Sequence, residues 1–419
     1  MGARSFVTAL CVHEDSCRSC GGVERTEVLN LGETPLANRL LAPDQLGTPE
    51  PRYPLRVVFC PACTLVQITD TVSPEELFRD YLYFSSFSDA TLRHSEQHAT
   101  ELVARRRLDA SHLIVEVASN DGYLLQYVQR AGVPVLGIEP ARNIAELANQ
   151  RGIPTRAEFF GLEFARRLGD EGVRANVVLG NNVLAHVADL NGFVAGAAHL
   201  LTDDGIVEFE FPYVGDLVDH VEFDTIYHEH LCYFSVHAIE HLLLRHGLAL
   251  SDVIRIPIHG GSLRITGARI ADDAGRRRVD ALLAEESARG MDHPGFYASF
   301  GDRVAGLRTD LLSTLRSLRE SGKRIAAYGA SAKGSTLLNF LGIGRDLLEY
   351  AVDRSTVKQG KLTPGAHLEI FPPERLVEDL PDYTLLLTWN FADEILTQQE
   401  RYRRAGGRFI IPVPTVRIV

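Results

Sequence analysis

Two Cys-x-x-Cys pairs near the amino terminus constrain the fold of this chain more than any other feature. Cys17 and Cys20 form the first pair, Cys60 and Cys63 form the second, and only two other cysteines occur in the 419 residues. A two-residue gap lets a tight turn direct both sulfur atoms towards one ion, so the pairs supply the four thiolates of a tetrahedral zinc site. Two disulfides or unpaired core cysteines are the alternatives. Because a closed four-sulfur site has no open position, we expect Zn²⁺ to fold a small lobe and the chemistry to lie elsewhere.

Composition limits the classes of partner. Hydrophobic residues make up 45% of the chain and charged residues 23%, as in globular proteins of two or three domains. A net charge of −12 argues against a nucleic acid polymer as partner. No segment approaches the roughly 20 apolar residues of a membrane span, and the first ten residues do not resemble a signal peptide. We therefore expect a cytoplasmic monomer that binds neither membranes nor nucleic acid.

The pattern of apolar segments predicts an α/β fold in three parts. Prolines and short strands dominate residues 1–80, which contain the cysteines. Strands and helices alternate over residues 81–275, which predicts a parallel sheet that ends in an antiparallel pair. A helix is predicted near 236–244. A second series of alternating strands and helices occupies residues 276–419, with a long polar helix over roughly 296–321 and a strand at 408–411. The predicted strands of the central part are 113–117, 135–138, 177–179, 206–211, 248–256 and 262–270.

The first strand of the central part leads into a turn suited to a nucleotide cofactor. Glu139 ends the next strand, where a carboxylate can accept both hydroxyls of a ribose, and Glu158 and Phe159 follow the third, where they suit the edge and face of an adenine. This order resembles the class I S-adenosylmethionine methyltransferases, which usually have glycine at the first and third positions of the turn. A nicotinamide cofactor is the alternative, disfavoured by the antiparallel closing pair. The turn consists of Ala118, Ser119, Asn120, Asp121 and Gly122.

Ionisable side chains follow the central strands. Tyr227, His228, Glu229 and His230 are consecutive, and their spacing is not that of a zinc-binding HExxH helix. In an extended segment the two histidines would share a face, whereas on a turn Tyr227 and His230 would converge. A neutral imidazole accepts protons near pH 7, and a tyrosine hydroxyl can stabilise an enolate. A cluster that only braces the loop is the alternative, and the same choice between a chemical and a structural role applies to His186.

At these residues the chain resembles the sugar-nucleotide C-methyltransferases of deoxysugar biosynthesis. These enzymes act on dTDP-linked 4-keto-deoxysugars destined for glycosylated natural products, among them antibiotics. The resemblance covers nearly the whole chain. Beside the cysteine pairs, the motifs that carry it are residues 31–38, 65–67, 81–86, 116–122, 181–186, 224–230, 259–264 and 329–334.

The resemblance implies a reaction and a set of roles. The substrate expected from it is a 3-amino-4-keto-deoxysugar methylated at C3 through an enolate. His230 would be the base, Tyr227 and His186 would bind the keto or enolate oxygen, and Glu229 would orient His230. S-adenosylmethionine would occupy residues 81–275. Its expected contacts are Glu116, Ala118, Ser119, Asn120, Gly122, Glu139, Glu158, Phe159 and Asn181.

The nucleotide of the substrate requires its own contacts. Tyr81 and Tyr83 are expected to flank thymine, with Ser85 and Ser86 bonded to phosphate or base, unless this segment is an aromatic packing strip.

A second strand–turn–helix, at residues 329–336, carries Ser331 and Lys333 and suits a pyrophosphate in the C-terminal domain. A structural turn or a nicotinamide site are the alternatives there. Arg264 is expected to pair with phosphate or to lie on the surface. A nicotinamide-dependent sugar oxidoreductase and a non-catalytic zinc-lobed scaffold remain the alternative functions.

Overall fold

A computed structural model of the chain describes residues 11–78, 85–87, 89–258, 260–270 and 273–419. These residues form three successive units of strands and helices, which confirms the predicted α/β class. Tyr81, Tyr83 and His259 lie outside the described residues. Within the described ranges, every helix is too short or too polar to cross a bilayer.

The amino-terminal unit is a small antiparallel lobe around the cysteines. Strand β1 (Cys11–His13) pairs with β5 (Asp70–Val72), and β2 (Thr26–Thr34), β3 (Tyr53–Phe59) and β4 (Val66–Ile68) form a meander. Apolar residues of β3 and β4 fill its interior, because alternate side chains of a strand share one face. A short helix, α1 (Pro74–Phe78), follows.

The middle unit is a seven-stranded sheet in the order β8-β7-β6-β9-β10-β13-β12. All of its pairings are parallel except those of β13, which is antiparallel to both neighbours. This is the closing topology expected of class I methyltransferases. The strands are β6 (Ile114–Val117), β7 (Val135–Ile138), β8 (Thr155–Arg156), β9 (Ala175–Asn181), β10 (Leu201–Pro212), β12 (Ala249–Ile256) and β13 (Ser262–Ala268).

Strand β11 (Cys232–Tyr233) lies between β10 and β12 in the chain but belongs to a different sheet. It pairs with β4 and so becomes the fourth strand of the amino-terminal lobe. The lobe and the middle unit therefore share a sheet, and the segment before β11 lies at their boundary.

Helices cover the middle sheet. Helix α2 (Asp89–Arg106) buries Ser95, His98, Ala99 and Leu102, whose spacing of three and four residues places them on one face. The others are α3 (Leu125–Arg130), α4 (Arg142–Gln150), α5 (Leu162–Asp170), α6 (Leu190–Leu200), α7 (Val214–Asp219) and α8 (Val236–Leu244).

The carboxy-terminal unit begins with helices α9 (Asp273–Ala288), α10 (Pro294–Tyr297) and α11 (Phe300–Glu320). Its sheet has the order β16-β15-β14-β17-β18-β19, with parallel pairings except at β19. The strands are β14 (Ile325–Tyr328), β15 (Ala351–Val352), β16 (Ile370–Phe371), β17 (Tyr383–Leu386), β18 (Arg408–Ile411) and β19 (Arg417–Ile418). Its helices are α12 (Ala332–Leu341), α13 (Arg375–Asp379), α14 (Ala392–Gln398) and α15 (Glu400–Arg404).

Candidate active site and zinc centre

The two cysteine pairs lie on two turns of the same design. In each, the N–H of the residue after the second cysteine donates to the first cysteine's carbonyl: Gly21 to Cys17, and Thr64 to Cys60, both at 2.8 Å. Gly21 and Thr64 both have left-handed φ angles, 75° and 59°. The chain thus turns back after each pair, which leaves both sulfur atoms on its inner side.

The four sulfur atoms converge from the two turns. All lie within 4.8 Å of one another, with Cys17 and Cys63 separated by 3.5 Å and Cys20 and Cys60 by 3.5 Å. A tetrahedron of Zn–S bonds of about 2.3 Å requires S–S distances of about 3.8 Å, so the donor set fits Zn²⁺ with a small adjustment. None of the six cysteines, all of them described, is in a disulfide, so the disulfide alternative is wrong.

The turn after β6 has the backbone of a glycine-rich cofactor loop without its first two glycines. Ala118, Asn120 and Gly122 all adopt left-handed φ angles, of 53°, 49° and 78°. Asn120 tolerates this region better than most residues, and Ala118 is held there at a cost of about 1 kcal/mol. The departure from glycine therefore changes the residues but not the path of the turn.

Buried acidic groups surround this turn. Glu139 accepts the N–H of Asn120 at 3.0 Å and that of Ala141 at 2.9 Å, one on each carboxylate oxygen. Burial raises the pKa of Glu139 to about 7, although these two N–H groups lower it. Each oxygen keeps a second lone pair, so ribose hydroxyls can still bind there.

Glu116, in β6, is fully buried. Neither of its carboxylate oxygens has a hydrogen-bond partner in the described part of the chain. Burial, reinforced by the nearby Glu139, Asp121 and Glu210, raises its pKa well above the usual range. An unpaired buried carboxylate is costly, so this geometry fits a cationic group, such as the ammonium of a methionyl moiety.

The serines predicted to contact the nucleotide lie against the cofactor turn. The Ser85 N–H donates to Asn120 Oδ1 at 2.9 Å, and the Ser86 hydroxyl donates to Asp121, which also binds Arg151 at 2.8 Å. Their contact with the substrate nucleotide stays a prediction, as does that of Tyr81 and Tyr83.

The remaining predicted cofactor residues are spread along the sheet edge. Asn181 ends β9, and its Oδ1 is buried without a partner among the described residues. Glu158 lies after β8, exposed, 3.6 Å from Arg167. Phe159 follows it and lines a shallow depression with Phe164.

Tyr227 and His230 converge on a turn, one of the two arrangements that the sequence allows. The His230 N–H donates to the Tyr227 carbonyl at 2.8 Å, which closes the turn. The Tyr227 hydroxyl lies 2.9 Å from His230 Nε2, and the rings lie 4.1 Å apart between centroids. His230 Nδ1 lies 2.8 Å from the Thr225 carbonyl, which only accepts, so Nδ1 carries the proton and Nε2 accepts from the tyrosine.

Three neighbours of this pair have separate partners. His186 lies with its ring 4.7 Å from that of His230, and burial lowers its pKa to about 4 although a hydrogen bond to the Glu229 backbone raises it. The Glu229 carboxylate accepts from Asn38 Nδ2 of the lobe at 2.8 and 3.0 Å. The buried His228 faces away, with Nε2 3.2 Å from the carbonyls of Tyr53 and Pro54.

The second turn, after β14, is partly occupied by its own protein groups. Ser331 Oγ caps α12 by accepting the Gly334 N–H at 3.1 Å, and Asp353 accepts the Ala330 N–H at 2.7 Å. Lys333 Nζ lies 4.7 Å from the centroid of the Trp389 ring and makes no hydrogen bond within the described residues. Phosphate contact by Ser331 and Lys333 stays a prediction.

Arg264 lies in a buried ion network and not on the surface. Its Nε donates to Glu210 at 2.5 Å, so a phosphate would have to compete with that carboxylate. His94 and His98 also approach Glu210, a grouping that can hold a metal ion. Because Arg264 already neutralises the carboxylate, we interpret the grouping as a network that fastens α2 to β10.

Three family models match successive parts of the chain. One described as a zinc binding domain matches residues 17–78, one described as a methyltransferase domain matches 91–253, and one described as a C-methyltransferase C-terminal domain matches 257–414. The C-methyltransferase NovU of Streptomyces niveus is 36% identical over 406 residues, which are 97% of each chain. The chain belongs to this C-methyltransferase family.

Two more distant relatives each match less than half of this chain. The ubiquinone biosynthesis O-methyltransferase of Bartonella quintana (strain Toulouse) is 27% identical over 95 residues, 22% of this chain and 38% of that protein. The crystal structure of magnesium protoporphyrin IX methyltransferase ChlM from Synechocystis PCC 6803 with bound SAM covers 45% of this chain and 86% of its own, at 15% identity and a TM-score of 0.34.

Family membership decides between the alternative functions that the sequence left open. The protein is a methyltransferase, with S-adenosylmethionine as cofactor and Zn²⁺ as structural metal. This assignment replaces the oxidoreductase and the non-catalytic scaffold as alternative functions. No role for Asn38, Asp224 or Trp389 follows from the sequence. The first two lie inside the motifs of the resemblance, but their residue types alone carry no signal.

Proposed function

We propose that this C-methyltransferase transfers a methyl group from S-adenosylmethionine to C3 of a dTDP-linked 3-amino-4-keto-deoxysugar. The sequence resemblance suggests the substrate class. The hydrogen-bonded pair of Tyr227 and His230 carries the proposal, because methylation of a saturated carbon next to a ketone requires a base that removes its proton. A C–H bond next to a ketone is acidic enough for this when the carbonyl oxygen takes the charge as an enolate.

His230 is the proposed base. Its Nδ1 proton is fixed by the Thr225 carbonyl, so Nε2 keeps the lone pair that a C3 proton requires. In the free enzyme the Tyr227 hydroxyl donates a hydrogen bond to this lone pair. When the ketone enters, the hydroxyl donates to O4 of the sugar instead. His186, neutral at pH 7 because of its lowered pKa, is a second candidate partner for O4. Glu229, which is held by Asn38, orients the adjacent His230.

The proton balance is simple. His230 removes the C3 proton and becomes an imidazolium, while negative charge moves to O4 and is stabilised there by Tyr227. S-adenosylmethionine supplies the electrophilic methyl group when bound. As the C3–methyl bond forms, the methyl–sulfur bond of the donor would break and leave its electron pair on the sulfur of S-adenosylhomocysteine. O4 then returns to a ketone, and His230 releases its proton to solvent.

The proposed binding residues divide between the two ends of the site. Cofactor contacts come from the turn after β6 with Glu116, Glu139, Glu158, Phe159 and Asn181, within a domain at residues 81–275. The unpartnered carboxylate of Glu116 supports an ammonium group there. Residues 276–419 form the domain proposed to contribute to sugar-nucleotide binding, through Ser331 and Lys333. Tyr81, Tyr83, Ser85, Ser86 and Arg264 complete the proposed substrate set.

Mass spectrometry of reactions with a panel of dTDP-4-ketosugars tests the substrate class. A product heavier by one methyl group, with the methyl on carbon by NMR, is the expected result. Products from no 4-ketosugar, or a methyl on oxygen, would contradict the proposal.

Isotope exchange tests the roles of the pair. With S-adenosylhomocysteine in deuterated buffer, the enzyme should exchange the C3 proton without methyl transfer. His230→Asn should slow exchange by about 10²–10⁴-fold, whereas Tyr227→Phe should retain measurable exchange with a reduced rate. If Tyr227→Phe abolishes exchange and His230→Asn does not, the tyrosinate is the base instead.

A further inference from the structure

The turn that carries Tyr227 and His230 is attached to the zinc lobe at three points. The first is a shared sheet: β11, which starts two residues after His230, pairs with β4 of the lobe, and the Ile68 N–H donates to the Leu231 carbonyl at 2.9 Å. The rest of the protein contributes further bonds to the same stretch: the Leu231 N–H donates to the Ala185 carbonyl at 2.7 Å, the Val214 N–H donates to the Phe234 carbonyl at 3.1 Å, and the Thr336 hydroxyl donates to the Ile226 carbonyl at 3.3 Å.

The second and third attachments are side-chain contacts from inside the turn. His228, which is 1% exposed, lies with Nε2 3.2 Å from the carbonyls of Tyr53 and Pro54 in β3. Asn38 Nδ2 donates to both oxygens of the buried Glu229 carboxylate. The two residues between Tyr227 and His230 are therefore both bound by the lobe.

Two of the three attachments come from strands that border the second cysteine turn, whereas Asn38 lies between β2 and β3. Strand β3 ends at Phe59, directly before Cys60, and β4 begins at Val66, three residues after Cys63. The Cys60 N–H donates to the Leu65 carbonyl at 2.9 Å, so the turn also sets the register between the strands. Without Zn²⁺ the four cysteines would be uncoordinated thiols. The turn between β3 and β4 would then lose the metal–sulfur bonds that connect it to the first cysteine turn.

We infer that the zinc lobe positions the Tyr227–His230 pair, with Asn38 as a positioning residue that acts through Glu229. The catalytic meaning of this inference rests on the function proposed above. The cofactor turn is held by Glu139 and Ser86, neither of which belongs to the lobe. Loss of the metal should therefore change the position of Tyr227 and His230 and leave cofactor binding unchanged.

Hydrogen exchange of the full-length enzyme, followed by mass spectrometry before and after zinc chelation, tests the coupling. We expect backbone amides of residues 226–234 to exchange at least 10-fold faster in the zinc-free protein, while those of 114–122 are unchanged. Affinity for S-adenosylhomocysteine should stay within about threefold. Protection of 226–234 that survives zinc removal would refute the inference, and equal loss of protection in both segments would show that the metal supports the whole fold and not the pair.

A variant that keeps the metal separates positioning from folding. Asn38→Ala should retain one zinc per chain, accelerate exchange at 226–234 and lower kcat about 10-fold, with an unchanged KM for S-adenosylmethionine. Asn191→Ala is the matched control, because Asn191 Nδ2 binds the Arg18 and Ser19 carbonyls of the first cysteine turn, away from the pair. Asn38→Ala with wild-type exchange and kcat would overturn the role of Asn38. The exchange readouts need no substrate, so failure of every ketosugar would count against the proposed function alone.

Discussion

At the scale of single residues, the turn after β6 has the backbone conformation of a glycine-rich loop although it lacks two of the glycines. Ala118 and Asn120 occupy left-handed positions in the cofactor turn that usually belong to glycine. Asn120 is additionally fixed by the Ser85 N–H, which its side chain accepts. A sequence pattern that requires glycine would reject this turn, whereas the neighbouring strand, the acid after the next strand and the final glycine identify it.

Substitutions at residue 118 test whether the left-handed backbone of the turn is strained. Ala118→Val places a β-branched residue at a left-handed φ and should lower the unfolding free energy by about 2 kcal/mol in urea denaturation. Ala118→Gly is the control. It should change stability by less than about 1 kcal/mol and leave S-adenosylhomocysteine affinity intact. Equal stability of the two variants would show that the turn is not strained.

The raised pKa of Glu139 predicts pH-dependent cofactor binding. Burial raises that pKa to about 7, so the side chain becomes a neutral acid as pH falls through 7 and no longer offers a charged acceptor to ribose hydroxyls. The dissociation constant of S-adenosylhomocysteine, measured by calorimetry, should rise about 10-fold between pH 8 and pH 6. Glu139→Gln should bind more weakly and show little of this dependence. A wild-type affinity that is flat over this range would exclude the carboxylate from binding.

At the scale of elements, the sequence predicted those whose apolar residues repeat locally. Strand β7, helix α8 and strand β18 have the predicted bounds, and the zinc turns follow from the cysteine spacing. Helix α9 was missed because two of its four buried positions are Gly275 and Glu286, which leave no apolar stripe. The long helix predicted over 296–321 is α11 (Phe300–Glu320), and its first residues belong to the short α10.

The contacts that complete the candidate site could not be predicted, because they join distant parts of the chain. Strand β11 has two residues, and its partner β4 lies in the amino-terminal lobe, so no local periodicity marks it. Asn38 and Glu229 likewise meet only in the folded protein. The sequence allowed two arrangements of residues 227–230, and the choice of the turn depends on these long-range contacts.

The ion network between α2 and β10 should stabilise the fold in a pH-dependent manner. Burial raises the pKa of Glu208, but hydrogen bonds and charge from His98 and Arg105 outweigh it and lower the pKa to about 2. An acid with a lowered pKa stabilises the native state above its unfolded pKa, near 4.3, and this stabilisation is lost as pH falls towards 2.

Glu208→Gln should lower the unfolding free energy by about 3 kcal/mol at pH 7 and by much less near pH 2. Glu101→Gln serves as control, since Glu101 lies on α2 in the same network but is exposed, 3.6 Å from Arg264, and its substitution should change stability by less than about 1 kcal/mol. Denaturant unfolding at both pH values makes the comparison. A pH-independent effect of Glu208→Gln would argue for lost packing and against lost charge.

At the scale of the whole molecule, the single tryptophan lies where the middle and carboxy-terminal units meet. Trp389 Nε1 donates to Asp224 Oδ2 at 2.7 Å, and Lys333 covers its ring. Asp224 directly precedes Thr225, the residue that fixes the His230 tautomer. This tryptophan therefore reports on the docking of the two units beside the proposed catalytic pair.

Tryptophan fluorescence should follow the ionisation of Asp224. Burial raises the pKa of this carboxyl group to about 6, although Lys333 and the Trp389 hydrogen bond lower it. The indole N–H should bind the charged carboxylate more tightly above pH 6, so emission should titrate with a midpoint near 6 and remain constant in Asp224→Asn. A wild-type signal without a transition between pH 5 and 7 would contradict this assignment.

The late arrival of β11 has a consequence for biosynthesis. Both cysteine turns leave the ribosome long before residues 232 and 233 are made, so a nascent lobe can capture its ion while the edge of β4 is still unpaired. A bare strand edge attracts other chains, and the lobe expressed without the rest of the protein should bind metal yet self-associate. We therefore expect the lobe to load its ion before β11 pairs with β4.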